Sequence, residues 1–267
     1  MKKLSWIGVL VFLMACQPEP KISRKQVAFG GEAQGTTYTV KYISDEIKTL
    51  PQQMDSLLKA IDASMSTYLE SSTIVRLNEG DSAVVDEMFV EVFELSQRMN
   101  RETDGAFDPT LAPVIEAWGF DYSQPQKMDS AKVDSLLAFC GFEQFELNGK
   151  VLRKKNRGAK LNFNAVAQGY SVDLMAELLR AKNINDFYVE LGGEVIAGGL
   201  NQDSVPWRIG IDKPQGRNLE RELSAIVSIE DQAMVTSGNY RKSQEVDARK
   251  YSHSIDQKTG IPLKYNL

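Results

Sequence analysis

Histidine and cysteine are scarce in this 267-residue chain, which contains one His and two Cys. A zinc or iron site of the usual kind needs three or four His, Cys or carboxylate ligands, so a Cys/His metal cluster is excluded. Cys140 follows two leucines and pairs with no second thiol in the body of the chain. We therefore expect Cys140 to be a core residue rather than a nucleophile.

Several catalytic and binding motifs are also missing. The sequence has no G-x-S-x-G elbow, no Walker A motif and no G-x-G-x-x-G after a strand. A hydrolase triad would have to combine His253 with Ser237 or Ser252, and no spacing supports either choice. The net charge is −5, and no basic run is interrupted by aromatics. These features exclude a nucleic-acid partner.

The N-terminus has the features of an export signal. Lys2 and Lys3 precede an apolar run at residues 7–15, which is short for a membrane span and typical of a signal peptide. The run ends in Leu-Met-Ala-Cys at residues 13–16, which looks like a bacterial lipobox. We expect a lipoprotein signal peptide at 1–15 and a lipidated Cys16 with a tether at 16–26. The alternative is a simple membrane anchor with a buried Cys.

This interpretation fixes the expected location. The protein would be lipid-anchored to a membrane of the cell envelope, on the periplasmic side, and the choice between inner and outer membrane stays open. Residues 27–267 would then form the folded part of the chain.

Residues 27–267 are expected to form an α+β domain. Apolar residues at helical spacing predict helices over Pro51–Met65, Asp86–Glu102 and Asp129–Phe139. Alternation from Val27 to Tyr42 predicts a strand with Tyr38, Val40 and Tyr42 on one face, and a polar loop at residues 30–37 precedes that face. Residues 106–113, with two prolines, are typical of a packed connector. Helices and strands mix without a strict βαβ rhythm, which favours α+β.

The central segment, residues 161–199, is the most informative. It predicts a short strand, a polar turn, a helix of about fourteen residues, and a second strand ending at Gly192-Gly193. Asn162 and Asn164 would lie at the helix entrance, where free N–H groups favour an anion. Hydroxyl-rich and glycine-rich loops elsewhere could bind phosphates through their amides. Tyr68 and Phe107 could enclose a flat ring, so together these features fit a large nucleotide ligand.

Eight segments, in order along the chain, resemble the ApbE family of FAD:protein FMN transferases. They begin at Gly35, Met65, Thr103, Leu161, Val189, Pro206, Val235 and Tyr251, and read GTTYTVKY, MSTYLESSTIVRLN, TDGAFDPTLAPVIEAWGF, LNFNAVAQGYSVD, VELGGEV, PWRIGID, VTSGNYR and YSHSIDQKTGIPL. The resemblance implies mixed sheets flanked by helices, with the flavin site between two intimately joined lobes. It covers nearly everything after the tether.

The resemblance also implies a reaction. A Thr hydroxyl of an acceptor flavoprotein attacks the FAD pyrophosphate, FMN is attached through a phosphoester, and AMP leaves, with Mg²⁺ as the metal. Two alternatives stay open: a non-catalytic FAD-binding lipoprotein, and an FAD pyrophosphatase that gives FMN and AMP.

Individual residues can be carried over from the family motifs. His253 is the candidate base, and the backbone carbonyl of Ala165 is the candidate Mg²⁺ ligand. The expected flavin-nucleotide contacts are Gln34, Tyr68, Ala106, Phe107, Asp108, Asn162, Gln168 and Ile255.

Three features depart from the family pattern. Asn162 stands where relatives often have Asp, and Gln168 where they often have Lys, so the two changes could compensate each other. His-Ser-Ile-Asp-Gln at residues 253–257 is looser than the usual motif. Relatives continue beyond residue 267 into an A-D-A-x-x-T segment that supplies side-chain Mg²⁺ ligands, which leads us to expect a truncated sequence.

Overall fold

The structure is a computed structural model that describes residues 24–121, 124–213, 222–236, 243–246 and 249–264. The side chains of residues 243–246, 249–253 and 264 are outside this description. Cys16 and the expected signal peptide also lie outside the described residues. Within the described part, no helix is both long enough and apolar enough to cross a bilayer.

The described chain contains six α-helices, all before β6, and thirteen antiparallel strands. The helices are α1 (Leu50–Met65), α2 (Thr73–Glu79), α3 (Glu87–Glu102), α4 (Ala112–Trp118), α5 (Ser130–Leu137) and α6 (Ala167–Arg180), with 3-10 turns at Pro109–Leu111 and Phe142–Gln144. The strands are β1 (Gln26–Ala33), β2 (Thr36–Ile43), β3 (Ser82–Val84), β4 (Phe145–Asn148), β5 (Val151–Lys154), β6 (Phe187–Leu191), β7 (Glu194–Gly198), β8 (Trp207–Asp212), β9 (Leu223–Ile229), β10 (Gln232–Met234), β11 (Ser243–Val246), β12 (Arg249–Ile255) and β13 (Pro262–Lys264).

The largest sheet of the described residues has five strands in the order β1-β2-β6-β7-β10. Each of its pairings is antiparallel. Smaller sheets have the orders β3-β5-β4, β11-β12-β13 and β8-β9. This combination of helices with antiparallel sheets confirms the α+β prediction.

Two helices join two apolar cores. The first core packs β2 and β6 against Met54 and Leu58 of α1 and Met175 and Leu179 of α6. The second core contains the C-terminal part of α1 together with α2, α3, β5 and Phe163. Each fully buried side chain of this size contributes roughly 1.5–3 kcal/mol. Because α1 and α6 contribute to both cores, the two halves of the domain are held together.

The helix predictions agree with the structure at α1, α3 and α5. Asp86 and Asp129 act as N-caps, accepting hydrogen bonds from the N–H groups of Phe89 and Lys132. The connector prediction for residues 106–113 agrees with the structure up to the buried 3-10 turn at Pro109–Leu111, but α4 already begins at Ala112. Pro113 lies in the first turn of that helix, where its missing N–H costs no helical bond.

The prediction for the N-terminal strand is partly wrong. Tyr38, Val40 and Tyr42 do share a buried face. Residues 30–33, however, belong to strand β1 and are paired with β2, so the predicted polar loop shrinks to the two-residue turn Gln34-Gly35. Both turn residues have positive φ (52° and 72°), as a tight hairpin requires.

Candidate functional site

The segment that precedes α6 is anchored by hydrogen bonds to neighbouring loops. Asn78 pairs with Leu161 in both directions, since its Nδ2 donates to the Leu161 carbonyl and its Oδ1 accepts from the Leu161 N–H, each at 2.9 Å. The N–H of Asn162 donates to the Pro109 carbonyl at 2.9 Å. The predicted strand at 161–163 is therefore wrong, because a side chain satisfies the backbone groups that a neighbouring strand would pair. The helix itself begins at Ala167, later than predicted.

The loop after α3 is fixed at both ends of Phe107. The Phe107 N–H donates to Thr103 Oγ1 at 3.1 Å, and its carbonyl accepts from Asn100 Nδ2 at 2.8 Å. Ala106 is exposed, and Phe107 is half-buried. The loop thus presents two of the predicted flavin contacts on a fixed backbone, next to Asn162.

Asp108 caps the 3-10 turn that follows this loop. Its Oδ1 accepts hydrogen bonds from the Thr110 N–H at 2.8 Å and from Thr110 Oγ1 at 2.6 Å. Burial raises the pKa of Asp108, against the lowering effect of these two hydrogen bonds. In this structure the Asp108 carboxyl group stabilises the 3-10 turn at Pro109–Leu111.

The thiol of Cys140 lies close to Asp108. Burial, with smaller contributions from the charges of Asp108 and Glu143, raises the pKa of Cys140 to about 12. The thiol is half-buried and donates to the Leu136 carbonyl at 3.4 Å. A thiol with such a pKa stays protonated at neutral pH, as expected for a core residue.

The turn after β12 packs on the same loop. Gln257 Nε2 donates to the Asp104 carbonyl at 3.3 Å, and Trp118 Nε1 donates to the Gly260 carbonyl at 2.9 Å. Ile255, directly before this turn, is half-buried. His253 belongs to β12, and its side chain lies outside the described residues.

Tyr68 lies on the other side of residues 161–164. Its side chain is 61% exposed, and Asn164 Nδ2 donates to its hydroxyl at 3.1 Å. Tyr68 and Asn162 line a cavity of about 190 Å³. The cavity also contains Lys160, which forms an ion pair with Glu116.

A larger groove of about 700 Å³ lies between α1 and α6 and is lined by residues such as Gln53, Leu57 and Leu178. Its lining includes none of the predicted site residues. We place the candidate site at the smaller cavity because two of the predicted residues, Tyr68 and Asn162, line it.

Gln34 and Gln168 both lie at one end of the five-stranded sheet. The turn of the β1–β2 hairpin lies beside the β6–β7 turn, since the Gly192 N–H donates to the Thr37 carbonyl at 3.2 Å. Gln168 Nε2 would lie 2.7 Å from a Cβ placed on Gly192, so the amide rests on the glycine backbone. Gln34 Nε2 donates to Ser171 Oγ of α6 at 2.7 Å. Asn162 pairs with Pro109, whereas Gln168 packs on Gly192, so these two departures from the family pattern have different neighbours.

Three polar residues at the site were not predicted: Asn164 as a partner of Tyr68, Ser171 as a partner of Gln34, and Glu194. Burial raises the pKa of Glu194, and its buried Oε2 has no hydrogen-bond partner among the described residues. Ser171 lies on the fully buried side of α6. A serine in the middle of an apolar helix face is the sequence signal that could have revealed it.

The described residues do not complete a Mg²⁺ site. Ala165 is exposed, and its carbonyl precedes the first bond of α6, which runs from the Tyr170 N–H to the Val166 carbonyl. That carbonyl is a suitable oxygen ligand, but Mg²⁺ in proteins usually also takes one or two carboxylates. The described part of the chain contains no group of three His, Cys, Asp or Glu side chains that could hold a metal ion.

Comparison with known proteins agrees with this geometry. The FAD:protein FMN transferase of Vibrio cholerae is 34% identical over 96% of this chain and 78% of the relative. The solved flavin transferase ApbE from Vibrio cholerae superposes with a TM-score of 0.78 at 33% identity, over 90% of this chain and 79% of that chain. The flavinyl transferase ApbE of Pseudomonas stutzeri, in its apo form, gives a TM-score of 0.78 at 33% identity, over 90% of this chain and 77% of that chain. The model of the ApbE family matches residues 34–267. This chain belongs to the ApbE family.

Proposed function

We propose that this protein is an FAD:protein FMN transferase. A Thr hydroxyl of an acceptor flavoprotein forms a P–O bond with the FMN phosphorus of FAD, the pyrophosphate P–O bond breaks, and AMP leaves. The observation that carries the proposal is the convergence of separate segments at one site: the 103–109 loop, the 161–168 segment and the 254–260 turn are joined by direct hydrogen bonds.

The chemistry of the site supports a flavin nucleotide as the ligand. The Tyr68 ring is 61% exposed, and the fixed loop holds Phe107, so aromatic surface is available for a flat ring. Typical small-molecule sites measure roughly 300–1,000 Å³. A cavity of about 190 Å³ holds only part of a dinucleotide, so the remainder of FAD would lie along the neighbouring loops.

The transfer assay uses the chain, FAD, Mg²⁺ and an acceptor domain with a Thr-containing flavinylation motif. A fluorescent acceptor band that survives denaturing electrophoresis is the expected result. An acceptor whose Thr is replaced by Val is the matched control and should stay dark. Release of FMN and AMP without a labelled acceptor would indicate a pyrophosphatase, and FAD binding without either product would indicate a binding protein. Both results contradict the proposal.

His253 is proposed as the base that takes the proton of the acceptor hydroxyl. His253→Ala should slow transfer more than it weakens FAD binding, because a base acts in the transition state. FAD affinity by fluorescence titration and single-turnover transfer rates measure the two effects separately. An equal loss in both would remove His253 from this role.

The Mg²⁺ requirement is part of the same proposal. When bound, the ion would neutralise charge on the phosphate oxygens, with the Ala165 carbonyl as one ligand. The described residues hold no group of three His, Cys, Asp or Glu side chains that would complete the site. Chelation with EDTA should abolish labelling, and added Mg²⁺ should restore it.

The lipid anchor at Cys16 and the periplasmic face of the envelope remain proposals from the sequence. Metabolic labelling with a fatty-acid analogue should mark the wild-type chain and not Cys16→Ala. The variant should move from the membrane fraction to the soluble fraction. Equal labelling of both chains would contradict the anchor.

A further inference from the structure

Gln34 occupies an unusual backbone position. It has φ 52° at the first position of the β1–β2 turn, and Gly35 follows at φ 72°. Residues in such turns are usually Gly, Asn or Asp, because other side chains pay a steric cost at positive φ. Gln keeps this place at some cost to the backbone, which is typical of a position held for its side chain.

Hydrogen bonding fixes the orientation of the Gln34 amide. Ser171 Oγ donates its only proton to the Ala167 carbonyl at 2.7 Å, one turn earlier in α6. The same oxygen can then only accept, and it does so from Gln34 Nε2 at 2.7 Å. A flipped amide would bring two acceptors together. Ser171 therefore forces the Gln34 carbonyl oxygen to the opposite side.

That carbonyl oxygen has no donor in the described protein. Gln34 Oε1 is buried and has no hydrogen-bond partner among the described residues. Buried polar atoms are almost always paired, so this acceptor is suited to a donor on a ligand.

We propose that Ser171 is a positioning residue for FAD. It orients Gln34 so that the Gln34 carbonyl oxygen accepts a hydrogen bond from an N–H of the bound dinucleotide. The proposal rests on the proposed function, because FAD is the ligand. FAD has two N–H donors of this kind, the imide N–H of the flavin ring and the amino group of adenine.

Two FAD analogues distinguish these donors. 3-Methyl-FAD lacks the imide N–H, and the N6,N6-dimethyladenine analogue lacks the amino protons. Wild-type protein should bind one of them about tenfold more weakly than FAD, which is about 1.4 kcal/mol. Ser171→Ala should reduce this discrimination to about threefold or less, because the freed amide can turn.

Ser96→Ala is the matched control. Ser96 is a fully buried serine on α3 whose hydroxyl has no partner among the described residues, so its replacement tests loss of a buried hydroxyl alone. It should keep the wild-type discrimination. Ser171→Cys, with similar volume and weak hydrogen bonding, should behave like Ser171→Ala and covers the case in which the alanine variant does not fold.

A double-mutant cycle tests whether Ser171 acts through Gln34. In a Gln34→Ala background, Ser171→Ala should change FAD affinity by less than about twofold. The inference fails if Ser171→Ala keeps the analogue discrimination, if wild type discriminates against neither analogue, or if the two substitutions are additive. Absence of FAD binding by wild type would instead overturn the proposed function.

Discussion

Asp108 and Asp256 make nearly the same local hydrogen bonds, yet their pKa values move in opposite directions. Each accepts from the N–H and the hydroxyl of a nearby threonine, Thr110 for the first and Thr259 for the second. Burial dominates at Asp108 and raises its pKa, whereas hydrogen bonds from Thr259 dominate at Asp256 and lower its pKa. The same hydrogen bonds favour the charged carboxylate in both turns, and burial outweighs them only at Asp108.

The two turns also differ in what depends on them. Thr110 is fully buried, and its Oγ1 accepts a further hydrogen bond from the Gly141 N–H at 2.6 Å. Thr259 is exposed. The first turn is thus part of the packed interior, and the second is a surface turn placed against it.

The largest expected effect comes from breaking the buried turn. Thr110→Val keeps the shape of the side chain but removes the hydroxyl, which leaves Asp108 with one donor fewer and the Gly141 N–H without its acceptor. We expect a loss of about 2–3 kcal/mol in unfolding free energy, measured by urea denaturation. A loss below about 0.5 kcal/mol would show that solvent replaces these bonds.

Gly105 links the two turns and should have the next largest effect. Its φ is +82°, and an added Cβ would lie 2.8 Å from the Gln257 side chain. Gly105→Ala should cost about 1–2 kcal/mol, mostly from the backbone conformation. In a Gln257→Ala background the cost should fall only in part. Complete rescue there would mean that the side-chain clash, and not the backbone, sets the penalty.

The opposite pKa shifts predict opposite pH dependences. The pKa of Asp108 is raised above 3.8 in the folded state, so its contribution to stability is present at low pH and is lost as pH rises through the folded value. The pKa of Asp256 is lowered below 3.8, so its contribution is present at neutral pH and is lost as pH falls through the folded value.

Asparagine substitutions measure this difference. From pH 3 to pH 7, the free energy of unfolding of wild type minus that of Asp108→Asn should fall. The corresponding difference between wild type and Asp256→Asn should rise. Urea midpoints across the pH range measure both slopes. Slopes of the same sign would show that burial does not separate the two turns.

The smallest effect is expected at the surface turn. Thr259→Val removes the same kind of hydroxyl as Thr110→Val, but water can replace its hydrogen bond to Asp256. We expect a change in Tm of about 1–2 °C or less. A Tm shift as large as that of Thr110→Val would indicate that the hydrogen bond between Thr259 and Asp256 is shielded from water.

Helix prediction succeeded where burial follows sequence spacing. The apolar stripe of α1 continues from Leu50 to Met65, and both ends of the helix are buried. For α6 the existence and length were predicted from apolar residues that the structure divides between the two cores. Val166, Tyr170 and Leu174 pack against the second core and are only partly buried, while Leu179 is fully buried on the side that faces the sheet. A helix between two cores has two apolar faces, and spacing along the sequence does not rank them.

The strand prediction at residues 161–163 failed for a different reason. Leu161 and Phe163 are buried with Asn162 between them, which is the alternation of a strand. Leu161, however, pairs with the side chain of Asn78 rather than with a strand, and the Phe163 carbonyl accepts from the Val166 and Ala167 N–H groups. Local alternation reports burial on one side, and it does not report which group satisfies the backbone.

By itself, the sequence determined the α+β class, the boundaries of several helices and, through the ordered family segments, the chemistry to be expected. The tertiary structure alone decided which polar groups meet. Gln34 and Ser171 are 137 residues apart, and their hydrogen bond exists because a hairpin turn lies against the first turns of α6. Helices and turns follow from local backbone and side-chain preferences, whereas the direction of a buried amide depends on a neighbour that only chain packing brings within reach.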